Sequence, residues 1–161
     1  ANSEVSEVTY PYLVVLSQDC DLEQYINNEK EDFQNQFLPN ILLLPAFPSA
    51  SVQNGDHLSL LFGIKQERIP SERFKVVKQN KNERYHYFEG RQELQVPPLI
   101  IDFKLYITIS FETVHNQFQD KYLITINELF RENLSQRFCY YLSRIGLPDL
   151  VVTDKTATPC V

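Results

Sequence analysis

The chain has 161 residues, a formal charge of −6, 43% hydrophobic residues and 22% charged ones, a composition that supports one packed core and excludes wholesale disorder. Only four glycines occur, with no GxxxxGKS/T or GxGxxG run, so a glycine-rich phosphate loop is excluded; no apolar run approaches the roughly 18 residues of a membrane helix. Cys20, Cys139 and Cys160 are far apart and odd in number, which argues against a disulfide framework and fits a reducing, cytoplasmic setting.

Charge is segregated. Residues 1–33 carry eight acids against Lys30, whereas residues 65–91 carry eight bases against four acids. The chain opens on Ala1 and contains no Met, so the native start is expected to lie upstream.

In chain order, Pro11 precedes an apolar run, Leu13 to Leu16, read as a buried strand. It ends in Ser17, Gln18, Asp19, Cys20 and Asp21, so a rigid strand is expected to deliver five polar or reactive side chains to one place. Residues 22–40 read as a polar surface insertion with a short helix at Glu29–Phe37. Ile41–Leu44 reads as a strand buried on both faces, closed by Pro45 and Pro48, with a loop at Phe47–Ser51. Asp56–Ile64 reads as a short helix capped by Asp56. Phe74–Val77, a turn at Asn80–Glu83 and Arg84–Phe88 read as a basic hairpin, Tyr85 and Tyr87 on one face and Arg84, His86 and Phe88 on the other.

Leu99–Phe103, the alternating Leu105–Phe111 and Tyr122–Ile124 are further strands. Thr125-Ile-Asn-Glu128 fits a capping box for a helix whose stripe is Leu134, Phe138, Tyr141, Leu142 and Ile145, ended by Gly146 and Pro148. Cys139 is expected in the core, and Arg131, Arg137 and Arg144 are expected on the helix surface or paired with the acidic N-terminal third. These elements predict one α+β domain over residues 1–152, a small and strongly bent sheet or barrel with a C-terminal helix, followed by a flexible tail at 153–161.

Four kinds of site are open. A metal site needs His57, His86, His115, Cys20 and nearby carboxylates to converge, and no ligand-pair spacing marks one. A Cys20 nucleophile with His86 as base and Asp102 as orienter meets triad logic by residue type, although the flanking carboxylates disfavour a thiolate. Asp19 and Asp21 can form a carboxylate pair or simply accept turn hydrogen bonds. Lys78, Asn80, Arg84, Tyr85 and Tyr87 join positive charge to aromatic faces, as single-stranded RNA requires.

Two resemblances add to this. Pro11-Tyr-Leu-Val-Val-Leu-Ser17 resembles the RP-x-V-V-x-S strand of the PemK/MazF toxins, with Tyr10 where that family has Arg. The resemblance implies an SH3-like barrel, RNA cleavage by a dimer, and a role for Ser17. Leu16–Asp21, Lys78–Asn80, Arg84–Tyr87, Ile101–Lys104 and Leu134–Phe138 through Ser143–Pro148 are similar to a set of prokaryotic proteins without an assigned function, which implies a prokaryotic intracellular origin.

The reading that leads is a PemK/MazF-like domain that binds or cleaves RNA in a toxin or phage-defence setting. In it Lys78 and Arg84 hold phosphate, Tyr85 or Tyr87 stacks a base, His86 or Asp21 serves as acid or base, and Ser17 or Gln18 bonds the nucleotide. A protein-interaction module, meeting a protein partner or a second copy, and a Cys- or metal-dependent hydrolase are the alternatives. No cofactor, resident metal or membrane is expected. The active centre requires residues 17–21 and the Arg84–Tyr87 segment to border one hollow.

Overall fold

A computed structural model describes residues 8–27 and 38–144. The elements run β1 (Tyr12–Val15), α1 (Asp19–Asn27), β2 (Asn40–Pro48), α2 (Ser49–Asn54), α3 (Ser59–Phe62), α4 (Ser71–Lys78), β3 (Tyr85–Phe88), β4 (Leu99–Asp102), β5 (Ile107–Ser110), α5 (Phe111–Gln117) and α6 (Glu128–Leu142). The fold is α+β. The expected helix at Glu29–Phe37, the Gly146–Pro148 stop and the tail at 153–161 lie outside the described residues.

Strand β2 organises the antiparallel sheet. Its nearly unbroken apolar sequence suits burial on both faces, and the structure buries it so. One edge of β2 pairs with β1; the other pairs with β4 near Pro48 and with β5 near Asn40. The strand passes through Pro45 instead of ending there. Pro45 has no N–H to donate, and it sits where the β4–β5 side leaves the ladder: six residue steps from Ile101 to Ile107 face three from Ala46 to Leu43. The surplus forms the turn after Asp102.

The strand order is β1-β2-β4-β3, with β5 pairing β2 off that path. Among the described residues the edges β1 and β3 do not meet, so the sheet is open and no closed barrel is formed.

Helix layers cover both faces. Leu134 and Phe138 of α6 pack on Leu44, Ala46, Leu99, Ile101 and Phe103. Opposite, Val52 of α2 and Phe74 and Val77 of α4 pack on Phe47, Tyr85 and Ile100. Leu22 and Tyr25 of α1 and Phe111 and Val114 of α5 cover Ile41 and Leu43. Strand β1 is not buried as expected. Tyr12, Val14 and Leu16 join the α6 face, while Leu13 and Val15 are exposed, because the second helix layer stops short of this edge strand.

Residues 74–77 are helical, so the expected hairpin does not exist, and β3 pairs with β4. The short run Phe-Lys-Val-Val suits a strand, but its surroundings favour a helix. Pro70 fixes the entry, Glu72 lies in the first turn and Lys75 and Lys78 in the last, complementing the helix dipole, and Phe74 and Val77 at i and i+3 share the buried side.

The Phe47–Ser51 loop is the start of α2, and α3 is shorter than the expected Asp56–Ile64 helix. Tyr122–Ile124 forms no strand and is exposed. The N-cap of α6 is Asn127, whose Oδ1 accepts from Leu129 N–H at 3.2 Å; the chain enters the helix two residues later than the Thr125 box predicts. Cys139 faces solvent, off the Leu134–Phe138–Tyr141 stripe.

Candidate functional site

Strand β3 is a sheet edge, and the backbone groups of Tyr85 and Tyr87 point away from β4. A loop of two asparagines satisfies three of them, and Arg137 the fourth. Asn80 adopts a left-handed backbone (φ 55°), which Asn tolerates better than most residues. Its Oδ1 accepts from Tyr87 N–H at 2.6 Å and its Nδ2 donates to Tyr87 C=O at 3.1 Å. One side-chain amide thus stands in for a neighbouring strand. Asn82 Oδ1 accepts from Arg84 N–H (2.9 Å) and Tyr85 N–H (3.2 Å).

Arg137 of α6 closes this edge. Its Nε–H donates to His86 Nδ1 at 3.1 Å, its Nη2 to the carbonyls of Asn82 (2.7 Å) and Tyr85 (2.9 Å), and its Nη1 to the carbonyl of Asn80. Every acceptor is neutral. Burial lowers the pKa of the guanidinium, and no carboxylate stands against it among the described residues. A guanidinium has five N–H donors, and these bonds take four, leaving one on Nη1. Burial, then the Arg137 charge, holds His86 down at about 4. The imidazole is neutral, with its proton placed on Nε2 by the bond at Nδ1.

A second cluster lies where Asp102 leaves the sheet. Its buried carboxylate takes a two-pronged bond from Arg84, Nε to Oδ1 at 2.8 Å and Nη2 to Oδ2, and a backbone bond from Lys104 N–H at 3.1 Å. Burial pushes the carboxyl up, but the Arg84 bonds, the His57 ring and the Lys104 N–H outweigh it, so Asp102 titrates below its ordinary value. Bonding to Asp102 raises the Arg84 guanidinium against the pull of its own burial. His57 Nε2 stands 3.6 Å from Asp102 Oδ2, beyond hydrogen-bond range, and neither buried ring nitrogen has a hydrogen-bond partner among the described residues. The ring packs edge-on to Phe47 at 5.2 Å.

Beside the Arg137 clamp lies a groove of about 380 Å³, lined by Lys81, Glu83, Gln136, Arg137 and Tyr140. Gln136 and Tyr140 are one helical turn apart on α6. Glu83 is paired with Arg144 at 3.1 Å, so the groove and its rim carry a positive surplus from Lys81 and Arg137.

The two segments expected to share a hollow do not. His86 lines up with Tyr12 through Ile101 and Ala46, three strand spacings or about 14 Å across the sheet. Ser17 Oγ accepts from Leu42 N–H at 3.0 Å and pins the end of β1 to β2. Cys20 and Asp21 are exposed on α1; Cys20 Sγ lies 3.4 Å from Gln18 Oε1 and 3.8 Å from Asp21 Oδ1. His86 bonds Arg137 and Asp102 bonds Arg84, so neither forms a relay with Cys20. No group of three or more His, Cys, Asp or Glu side chains among the described residues converges to hold a metal.

Of the expected RNA contacts, Tyr85 is buried, Tyr87 half-buried, Asn80 committed to Tyr87, and Arg84 committed to Asp102 and stacked 4.8 Å from the Tyr85 ring. Lys78 is exposed, its Nζ 5.4 Å from the Phe74 ring centre. Sequence reading offered His57 only as a metal ligand and Arg137 only as a helix-surface charge, and it gave Asn82, Gln136 and Tyr140 no role in a site. For Arg137 a signal existed: Leu134, Arg137 and Tyr141 are spaced i, i+3, i+7, which puts the arginine on the apolar stripe and not on the outer surface.

No family model, curated protein or solved structure matches this chain. Its chemistry rests on the geometry above.

Proposed function

We propose that this domain binds single-stranded RNA without cutting it, along the basic edge made by the C-terminal end of α4, the loop at 79–84 and α6. The observation that carries this reading is the Arg137 charge. It is half-buried among neutral acceptors, with no carboxylate against it among the described residues, and it lines a groove together with Lys81, with exposed Lys78 three residues before that lysine. A positive charge fixed in place and partly withdrawn from water attracts a phosphate backbone more strongly than a fully solvated, mobile lysine does. The PemK/MazF resemblance of Pro11–Ser17 agrees with an RNA ligand. In this reading the open sheet is a distant relative of that family's SH3-like barrel, and the setting is a cytoplasmic toxin or phage-defence system.

Binding without cleavage follows from where the acid–base candidates lie. His86 is buried behind Arg137, and Asp21 is exposed on α1, the helix that follows β1 and covers Ile41 and Leu43. The test is fluorescence anisotropy of a short labelled single-stranded RNA with the full chain. Saturable binding at low ionic strength is expected. Lys78→Ala with Lys81→Ala should weaken it and reduce the slope of log K against log salt by about 1.4, roughly 0.7 for each lost phosphate contact. Absence of binding at low ionic strength rejects the reading.

A second reading, a protein-interaction module, is favoured by one separate observation. Tyr122, Leu123, Leu129 and Phe130 are all more than half exposed, beside and at the start of α6. Large apolar side chains exposed within a few residues of one another suit a contact surface for a protein partner or a second copy. No helix among the described residues is long and apolar enough to cross a membrane.

A further inference from the structure

Resting on the RNA reading, we infer that the groove between the 80–83 loop and α6 seats one nucleotide, its phosphate on Lys81 beside Arg137 and its base on the ring of Tyr140, with Gln136 at the base edge. Three features of the groove lead there.

The first is size. About 380 Å³ lies at the small end of ligand pockets, enough for a nucleotide and too little for a folded element.

The second is the disposition of charge. Arg137 is held rigidly by four bonds to neutral acceptors and keeps one N–H unspent, so a charged donor is already ordered before any ligand arrives. Glu83, the one acid lining the groove among the described residues, is paired with Arg144 at 3.1 Å. With Glu83 set against Arg144, an anion still meets a positive surplus from Lys81 and Arg137.

The third is the aromatic. Tyr140 is 61% exposed on α6, three residues after Arg137, and is not part of the packed core. A phenol ring standing in water beside a cationic site offers a stacking face within one nucleotide's reach of the phosphate position. Gln136, one turn before it, carries both a donor and an acceptor for a base edge. Inorganic phosphate, a nucleoside and a nucleotide should therefore bind in clearly different order.

The experiment titrates the full chain with uridine 5′-monophosphate, adenosine 5′-monophosphate, uridine and inorganic phosphate, followed by amide chemical shifts, with labelled single-stranded RNA in parallel. The expected result is that both nucleotides shift amides of residues 80–84 and 136–140 and bind at least about tenfold more tightly than uridine or phosphate alone. Tyr140→Ala and Lys81→Ala should each weaken nucleotide binding about fivefold or more, at unchanged melting temperature because both side chains are exposed. Three outcomes overturn the inference: phosphate binding as tightly as the nucleotides, shifts confined to another surface, or Tyr140→Ala binding nucleotide as the parent does. If RNA still binds in any of these cases, the groove assignment alone fails. If RNA binding is absent too, the functional reading fails with it.

Discussion

The Nε–H of Arg137 donates to Nδ1 of His86 at 3.1 Å, joining α6 to strand β3 across 51 positions of sequence. Because Nδ1 accepts, the imidazole works as a neutral base, and protonating it would set two cations against each other in a buried place. Burial, then Arg137, lowers His86 from 6.5 to about 4. Between those values the unfolded chain binds more protons than the folded one, so stability rises with pH. The contribution should be complete above pH 6.5 and lost as pH falls toward 4, by on the order of 3 kcal/mol. Urea unfolding at stepped pH reads it directly. His86→Asn keeps an acceptor for Arg137 and removes the proton site, so its curve should be flatter than the parent's through that window. Equal slopes would reject the buried neutral imidazole.

Arg137 is predicted to matter more through the shape of its fork than through its charge. Arg137→Lys keeps the cation but cannot reach His86 Nδ1 and the carbonyls of Asn80, Asn82 and Tyr85 together. Each acceptor left without a donor costs about 1 kcal/mol or more. Arg137→Lys should therefore lose about 2 kcal/mol and Arg137→Ala somewhat more, by chemical denaturation. A lysine variant as stable as the parent would show that charge alone suffices.

The parts of this molecule that were legible in the sequence are those governed by local pattern over enough residues. The double-sided burial of β2 follows from Ile41 to Leu44, and the alternation of Tyr85 and Tyr87 against His86 and Phe88 survives in the structure. Residues 74–77 failed because four residues are too few to separate a strand from a helical turn; the deciding information lay in Pro70, Glu72 and the paired lysines around them. The site was misread for a different reason. Lys78-Gln-Asn80 and Arg84–Tyr87 look like ligand-binding chemistry because their polar groups are dense, but the density exists to satisfy an exposed sheet edge and a buried carboxylate. Pairings such as Arg137 with Asn80, 57 positions apart, leave no local trace.

The Arg84–Asp102 pair should be a stability element, not an RNA contact. Asp102→Asn removes the partner of a guanidinium only 25% exposed and should cost about 3 kcal/mol. Arg84→Ala should likewise lower the urea midpoint while leaving RNA affinity within about twofold, because the side chain is committed to Asp102. Since Asp102 titrates below its ordinary 3.8, its contribution is intact above that pH and disappears only in stronger acid, after the His86 contribution has gone. A large loss of RNA affinity in a folded Arg84→Ala protein would return Arg84 to the binding surface.

His57 makes the opposite prediction. Both ring nitrogens are buried without hydrogen-bond partners among the described residues, a desolvation cost that the 3.6 Å contact with Asp102 offsets only in part. His57→Leu, of similar volume, should be neutral or stabilising by up to about 1 kcal/mol. A loss above about 2 kcal/mol would show that the ring is satisfied by an ordered water or a bound group, and would make it a functional residue.

Leu129 and Phe130 separate a contact surface from an incidental one. They are 74% and 63% exposed in the first turn of α6, so Phe130→Glu should change folding stability by less than about 0.5 kcal/mol. The acid also suits the positive end of the helix dipole. Its effect should instead appear between molecules. Light scattering across a concentration series should show attraction for the parent chain and a shift toward repulsion for Phe130→Glu. If the variant loses more than about 1 kcal/mol, Phe130 is held by the fold and the apolar ledge is part of the core. If stability and scattering are both unchanged, the exposed apolar side chains carry no self-contact and the protein-interaction reading loses the observation that favours it.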